Sequence, residues 1–413
     1  MSRWVELPVN AIAICLVVVI ANLGNTIVAP VLPSIRDYFG SSAADVALMV
    51  SGFGFGRLAM DLPAGALTSR ISPSKMFAAG ILLSGGASAL AALSSTLQQL
   101  IFFRTIMGIG SAIMTTVALV VLVNSAKPNQ RGTVLAFYTS SMLIGGALSP
   151  TIGGYLATLF SWRAVFIFCA LTPLISFPLN LAVTGHATNK HDSSPTHAKK
   201  ALEQAASTSR PADSGTAGAN WPALVTIFVS SFLVFFNRQG MQSALLPLYA
   251  ASELGLDAVN IGNVLSSRAI FTSIVTLPAG ALADRIGRKR LLIPGMLFGV
   301  VGNLYLLTGE SIWIFTASTF LISMTIVGNN MLSALIADLV PEQWLGRGMG
   351  MFRFTCDLGT VLGPFILGLI VDRSGFGAAS TLAAGMIMLG VVACALLVPR
   401  HTTPKPSRQT KGV

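Results

Sequence analysis

What this chain has least of is charge. Asp, Glu, Lys and Arg make up 10% of its 413 residues, against about 25% in soluble domains. So few charges cannot cover the surface of a water-soluble globule. Acids are the rarer kind, at 15. Of the four histidines, His186, His191 and His197 share one polar stretch and His401 lies near the C-terminus. No apolar segment therefore contains the side chain that most often handles protons near neutral pH. The three clustered histidines match no compact ligand spacing, and no metal and no cofactor is expected. Cys15, Cys169, Cys356 and Cys394 all fall in apolar segments. They show neither metal-ligand spacing nor a disulfide framework and read as packed thiols. There is no Walker loop and no nucleophile–base grouping, so neither an enzyme nor an ATP-driven pump is expected. The GFGFG run at Gly52–Gly56 precedes no strand–helix unit and reads as a helix-packing surface.

What is abundant is apolar sequence. Hydrophobic residues make up 53% and mean hydropathy is +0.74. Twelve segments are long enough to cross about 30 Å of hydrocarbon. They fall at 9–32, 45–67, 76–95, 99–123, 133–155, 164–183, 222–249, 259–282, 291–308, 312–336, 348–371 and 377–398. The first is too long for a signal-peptide core and lacks a small-residue cleavage site, so it is read as retained. Residues 184–220, rich in Ser, Thr, Ala and Pro and without apolar period, read as a flexible linker between six-helix halves at 1–183 and 221–399. Residues 400–413 form a basic tail.

The net charge of +11 is a matter of topology. With the N-terminus placed in the cytoplasm, eighteen of the 26 Lys and Arg fall in inner segments, three (Arg36, Arg163, Arg373) in outer loops and five inside spans. That bias puts both termini and the linker inside by the positive-inside rule, and it explains the basic excess without nucleic acid. Short loops point to a bacterial inner membrane.

The halves repeat one another. LPAGAL occurs at Leu62–Leu67 and again at Leu277–Leu282, 215 positions on, each followed by Arg-Ile. Leu32-Pro33, Gly40, Arg131-Gly132 and Pro150 return as Leu246-Pro247, Gly255, Arg347-Gly348 and Pro364. Duplicated membrane halves of this kind place a substrate site where the copies meet.

Beyond the second LPAGAL the chain continues from Gly280 through Asp284, Arg285, Gly287, Arg288 and Lys289 to Arg290. That run resembles the signature loop of the major facilitator superfamily, G-x-x-x-D-R-x-G-R-K. With twelve spans and a central linker, the resemblance covers essentially the whole chain and implies an all-α membrane fold of two pseudo-symmetric six-helix bundles. An aspartate such as Asp284 can cap a neighbouring helix N-terminus, here the one beginning at Arg131-Gly132, while the cations hold the loop among headgroups. An ordinary basic inner loop is the alternative. The first-half copy keeps Gly65, Arg70 and Lys75 but has Ser69 for the aspartate and Ser72 for the second glycine. That departure puts the latch between spans two and eleven in doubt. Arg104-Thr-Ile-Met-Gly108-Ile-Gly110 resembles the span-four motif that the family links to proton coupling. Gly145, Gly146, Ser149, Pro150, Gly153 and Gly154 resemble the span-five motif of its proton-driven antiporters, with Ser149 in place of glycine. The resemblance leans toward export; a generic kinked helix is the alternative.

A charge at mid-bilayer costs about 2.5–3.5 kcal/mol even on lenient scales, so each one requires a reason. Five arginines lie in spans: Arg57, Arg104, Arg238, Arg268 and Arg353. Only Asp61 and Asp357 lie well inside spans, each four residues after an arginine and hence on its helical face (Arg57–Asp61, Arg353–Asp357). They are either two neutralised intrahelical pairs or proton carriers, Asp61 foremost. Carboxylates held against arginine stay ionised and those separated in low dielectric take up a proton. Arg104, Arg238 and Arg268 have no acid on their own helices. Asn22 and Asn25 in span one and Arg238 and Gln242 in span seven are expected to face the central cavity and bind a substrate with an anionic or hydrogen-bonding group. The alternative has Arg238 bonded to carbonyls of a broken helix. The expected activity is proton-coupled export of small amphipathic metabolites or drugs by alternating access. Uptake of an organic anion is the alternative, and a transport-inactive scaffold or sensor a third. The expected partners are the bilayer, a small-molecule substrate and protons, with a monomeric protein.

Overall fold

The computed structural model describes residues 9–67, 71–125, 131–173, 221–340 and 342–399. The linker 184–220, the tail 400–413 and Arg70 of the first signature loop lie outside them.

The described residues form helices and no strand. α1 (Val9–Thr26) is extended through a 3-10 turn by Leu32–Phe39. α2 (Ala43–Leu67), α3 (Pro73–Ala92), α4 (Leu97–Ser125) and α5 (Arg131–Leu159) follow. α6 begins at Trp162 and is described to Pro173. In the second half come α7 (Trp221–Asn237, continued to Ser252), α8 (Ala258–Ile286), α9 (Arg288–Tyr305) and α10 (Ile312–Ser323 continued by Thr325–Leu339). The last helical stretch, Glu342–Leu397, is broken at Gly375, whose φ is 79°. We call its limbs α11 and α12.

Ten of the described helices are long and apolar enough to cross a bilayer, and Trp344–Leu397, at 54 residues, is long enough for two crossings. α6 is a further apolar helix. The sequence repeat is visible in the backbone. Gly40 ends the α1 extension with φ 58°, and Gly255, its counterpart 215 residues on, follows α7 with φ 61°. Only glycine takes that left-handed conformation without penalty, which makes the two turns alike.

The apolar cores reveal how the bundles sit. One core takes residues from both halves: Ile27, Val31, Leu32 and Ile35 meet Leu245, Leu246, Leu248 and Ala250 in it. These lie toward the end of the molecule that carries the Gly40, Gly255 and Gly375 turns, here called the far end. Toward the opposite end, which carries the basic α8–α9 turn and is called the basic end, each half has a core of its own. Ile113, Met114, Val117 and Leu122 belong to one, and Leu292, Met296, Leu332 and Ile336 to the other. Shared apolar burial holds the halves together at the far end, whereas the basic halves of the bundles pack each within itself.

Candidate functional site

Two seams join the bundles, and both are built by residues near prolines or helix ends. Along α5–α8, Pro150 has no N–H to give the Gly146 carbonyl, which instead accepts from Thr26 Oγ1 at 3.3 Å. Next to it the Thr151 N–H donates to Ser266 Oγ of α8 at 3.0 Å, so the kink is wired across the bundles. Gly153 lies on the Ile27 carbonyl of α1 and Gly154 on the Ala258 carbonyl of α8; any Cβ at either position would strike it. Gly145 packs on Val19 in the same way. Ser149, the departure from the span-five pattern, donates to the Leu23 carbonyl. The motif is thus more than a generic kink: it brings α1 and α8 into backbone contact with α5.

Along α2–α11, the Asp372 carboxylate accepts the Ala43 N–H at 2.8 Å and the Ala44 N–H at 2.9 Å. A carboxylate of one bundle thereby caps the first turn of a helix in the other, where unpaired N–H groups and the helix dipole both favour negative charge.

Nearer the basic end, α2 and α11 are joined differently from the expectation. Asp61 does not pair with Arg57 on its own helix. Its Oδ2 accepts from Arg353 Nη2 of α11 at 3.1 Å, and Arg353 Nε lies 4.0 Å from Asp357. Arg57 instead donates to Ser111 Oγ on α4 at 3.2 Å. The intrahelical Arg57–Asp61 pair is therefore replaced by a bridge between bundles. The reason is geometric: α2 and α11 pack along their lengths, and a guanidinium reaches two carboxylates on different helices as easily as one. Asp61 is 8% exposed and Arg353 61%, so the pair has one buried and one accessible member.

Mid-way along α7, Arg238–Leu245 is wound as a π-helix, its wider turn closed by the Leu246 N–H on the Met241 carbonyl. Pro247 supplies no N–H, and its ring crowds the carbonyl four residues back; a wider turn relieves that. The π-turn carries Arg238 and Gln242 together. The Arg238 guanidinium lies 5.6 Å from the Phe235 ring centre, and among its described contacts there is neither a carboxylate nor a backbone carbonyl. The broken-helix alternative is thus set aside: α7 widens, and its carbonyls do not take this cation. Gln242 is 3% exposed. Its Oε1 accepts from Arg268 Nη1 of α8 at 2.6 Å, while Gln242 Nε2 and Arg268 Nε are buried without a partner. The Asn237 and Asn303 amides, both fully buried, are joined at 3.1 Å and tie the start of the π-turn to α9.

The first-half candidates serve differently. Asn22 is buried, and its Nδ2 donates to the Met142 carbonyl of α5 at 2.5 Å, which fastens α1 to α5 and corrects the expectation that it faces a cavity. The side chain of Asn25 lies outside the described residues. Arg104, 2% exposed, donates to the Gly24 carbonyl at 3.3 Å and stacks 4.5 Å from the Phe53 ring centre. It holds α1, α2 and α4 together.

The signature turn also departs from expectation. Arg288 and Lys289 are buried and do not extend toward headgroups. Arg288 Nη1 pairs with Asp338 at 2.6 Å and also donates to the Ala334 carbonyl, both near the end of α10. Lys289 Nζ donates to the Ala395 carbonyl at 2.8 Å and to that of Val398, the orphan acceptors at the end of α12. Gly287, with φ 100°, makes the turn that aims these cations back at the bundle, while Gly280 ahead of it has open space around it and Arg285 is exposed. The side chains of Asp284 and Arg131, and the surroundings of Gly65 and Gly132, are outside what is described. Lys289→Met, which keeps the stem and removes the donors, is expected to lower stability by about 1–3 kcal/mol. Thermal unfolding in detergent reads this directly, and an unchanged transition would mean that the carbonyls find other donors.

The sequence pattern of the Major Facilitator Superfamily matches residues 14–236 and again residues 227–412. The chain belongs to this superfamily. Its relatives include the hexuronate transporter of Bacillus subtilis (strain 168), 24% identical over 91% of this chain and 90% of that one. The multidrug export protein EmrB of Escherichia coli (strain K12) is 28% identical over 43% of this chain, which spans only 33% of EmrB. The crystal structure of a bacterial homologue of the human lysosomal transporter Spinster, inward-facing and occupied, superposes with a TM-score of 0.74 at 13% identity, covering 95% of this chain and 96% of that one. That likeness fixes the fold. As a superfamily member the protein is a multi-pass membrane transporter of small molecules.

Proposed function

We propose that the protein is a proton-coupled exporter of small amphipathic molecules that carry an anionic group, working by alternating access. The observation that carries this is the α7–α8 site: Arg238 and Arg268 lie mid-span with no carboxylate among their described contacts, next to the buried Gln242 amide, whose nitrogen has no partner. A bare cation in low dielectric is costly, and a substrate anion offsets that cost whenever it binds. The basic end is assigned to the cytoplasm by the positive-inside rule, with both termini there, a monomeric protein and a bacterial inner membrane as its setting. In the present form the apolar core shared by the bundles lies at the far end, and export follows when the Asp372 cap and the α5–α8 seam part.

Coupling is assigned to the Asp61–Arg353–Asp357 cluster. The Arg353 guanidinium bridges the bundles to Asp61, and rocking that withdraws it removes the carboxyl's counter-charge, which a proton from the gradient replaces. Export is favoured by the span-five motif at Gly145, Pro150, Gly153 and Gly154. Uptake of an organic anion is the second reading, supported by the full-length match to a hexuronate transporter. Asp61→Asn is expected to abolish pH-gradient-driven accumulation in proteoliposomes while leaving substrate counterflow within about threefold of normal, because the barrier to exchange at constant pH needs no proton movement. If coupling survives in both Asp61→Asn and Asp357→Asn, neither acid is the carrier.

A further inference from the structure

The site at the π-turn holds two cations, of which the turn itself carries one. Arg238 stands on α7 and Arg268 on α8, where Arg268 reaches across to Gln242, a residue of the same π-turn as Arg238. Proteins normally separate such like charges or place an acid between them. Here the only bridge among the described contacts is neutral: Gln242, one turn beyond Arg238, offers its Oε1 to Arg268 at 2.6 Å. Each guanidinium carries five N–H donors, yet Arg268 Nε and Gln242 Nε2 remain buried without acceptors. Two like charges, a surplus of buried donors and no carboxylate among the described contacts leave a site short of two negative charges.

We infer that the preferred substrate is a dianion whose two acidic groups are held apart on one molecule, one group on Arg238 and the other on Arg268, with the Gln242 amide donating between them. This rests on the anion reading above and adds charge number and spacing to it. A single carboxylate satisfies one guanidinium and leaves the other without a counter-charge. Two carboxylates joined by a short apolar chain satisfy both, and the chain lies against Phe235, the aromatic neighbour of Arg238. Bidentate guanidinium–carboxylate pairing makes the second contact specific as well as strong.

The test uses the purified full-length protein in detergent and isothermal titration of succinate, glutarate and adipate, each against its own monoamide. The pairs are matched in length and shape and differ by one charge. At least one dicarboxylate is expected to bind about tenfold or more tighter than its monoamide, the increment of a charge-assisted contact. Arg268→Gln should bring the pair within about threefold of each other; Arg268→Lys should restore part of the preference. A preference that persists in Arg268→Gln, or equal binding of acid and monoamide to the wild type, overturns the inference and leaves the anion reading standing. Should neither acids nor monoamides bind the wild type at all, the anion reading falls with it. The wild-type comparison decides by itself if the variant cannot be purified.

Discussion

Arg238→Gln lowers the affinity for transported anions by about 100-fold, the loss expected when a two-pronged charge-assisted contact is reduced to a neutral one. The same change leaves the protein as stable as before or more so. Both halves of this expectation follow from one observation: among its described contacts the guanidinium has the Phe235 ring and neither a carboxylate nor a carbonyl. Removing a charge that the protein itself does not use strands no partner, and it relieves a desolvated cation. Lys289 makes the contrast clear, since its ammonium satisfies two helix-end carbonyls and its loss is felt in folding. Arg238→Lys should fall between, retaining the charge but not the planar fork, at about a tenfold loss. Counterflow of a labelled anion measures the affinities, and thermal unfolding of the same preparations measures stability. A variant that unfolds early while binding anions normally would show that Arg238 is a structural residue.

Asp372→Ala is expected to release the far end. The carboxylate accepts two N–H groups at the start of α2, and a cap of this kind is worth about 0.5–2 kcal/mol, with the helix dipole adding about 0.3–1 kcal/mol. Because the cap joins the two bundles, its whole value is a difference between the closed and open far end. Losing about 1–2 kcal/mol shifts that equilibrium about fivefold to thirtyfold toward opening. Spin labels at Gln98 and Ile312, exposed near the far ends of α4 and α10, report the distance between the bundles there. The longer-distance population should rise in Asp372→Ala and stay near wild type in Asp372→Glu, which keeps the charge. An unchanged distribution would make the cap incidental to gating.

The architecture was legible because its causes are local and repeated. A span announces itself by about twenty apolar residues, and LPAGAL with its flanking landmarks announces the second copy. The α9 turn was legible as a motif but its chemistry was not: Arg288 and Lys289 read as headgroup contacts, and only the tertiary fold brings Asp338 and the end of α12 to them. The same limit applies to Asp61. Spacing along one helix pairs it with Arg57, whereas contact between α2 and α11, nearly 300 residues apart in sequence, gives it Arg353. Arg238 and Gln242 were found as polar residues at mid-depth, a signal that needs no neighbour. Their companion Arg268 was noticed as a charge but not as part of the same site, since nothing in the sequence states that α7 widens into a π-turn facing it. Ser266 and Asp372 carried no signal at all; a serine inside a helix and an aspartate near the end of one are common, and their meaning lies in which backbone N–H groups they reach.

Flux of dicarboxylates and their monoamides into proteoliposomes, driven by imposed pH gradients of either sign, tests the account most directly. The account predicts that a dicarboxylate accumulates against its own gradient, that reversing the pH gradient reverses the accumulation, and that Arg238→Gln abolishes both. Accumulation that ignores the pH gradient, or that proceeds unchanged without Arg238, would contradict it.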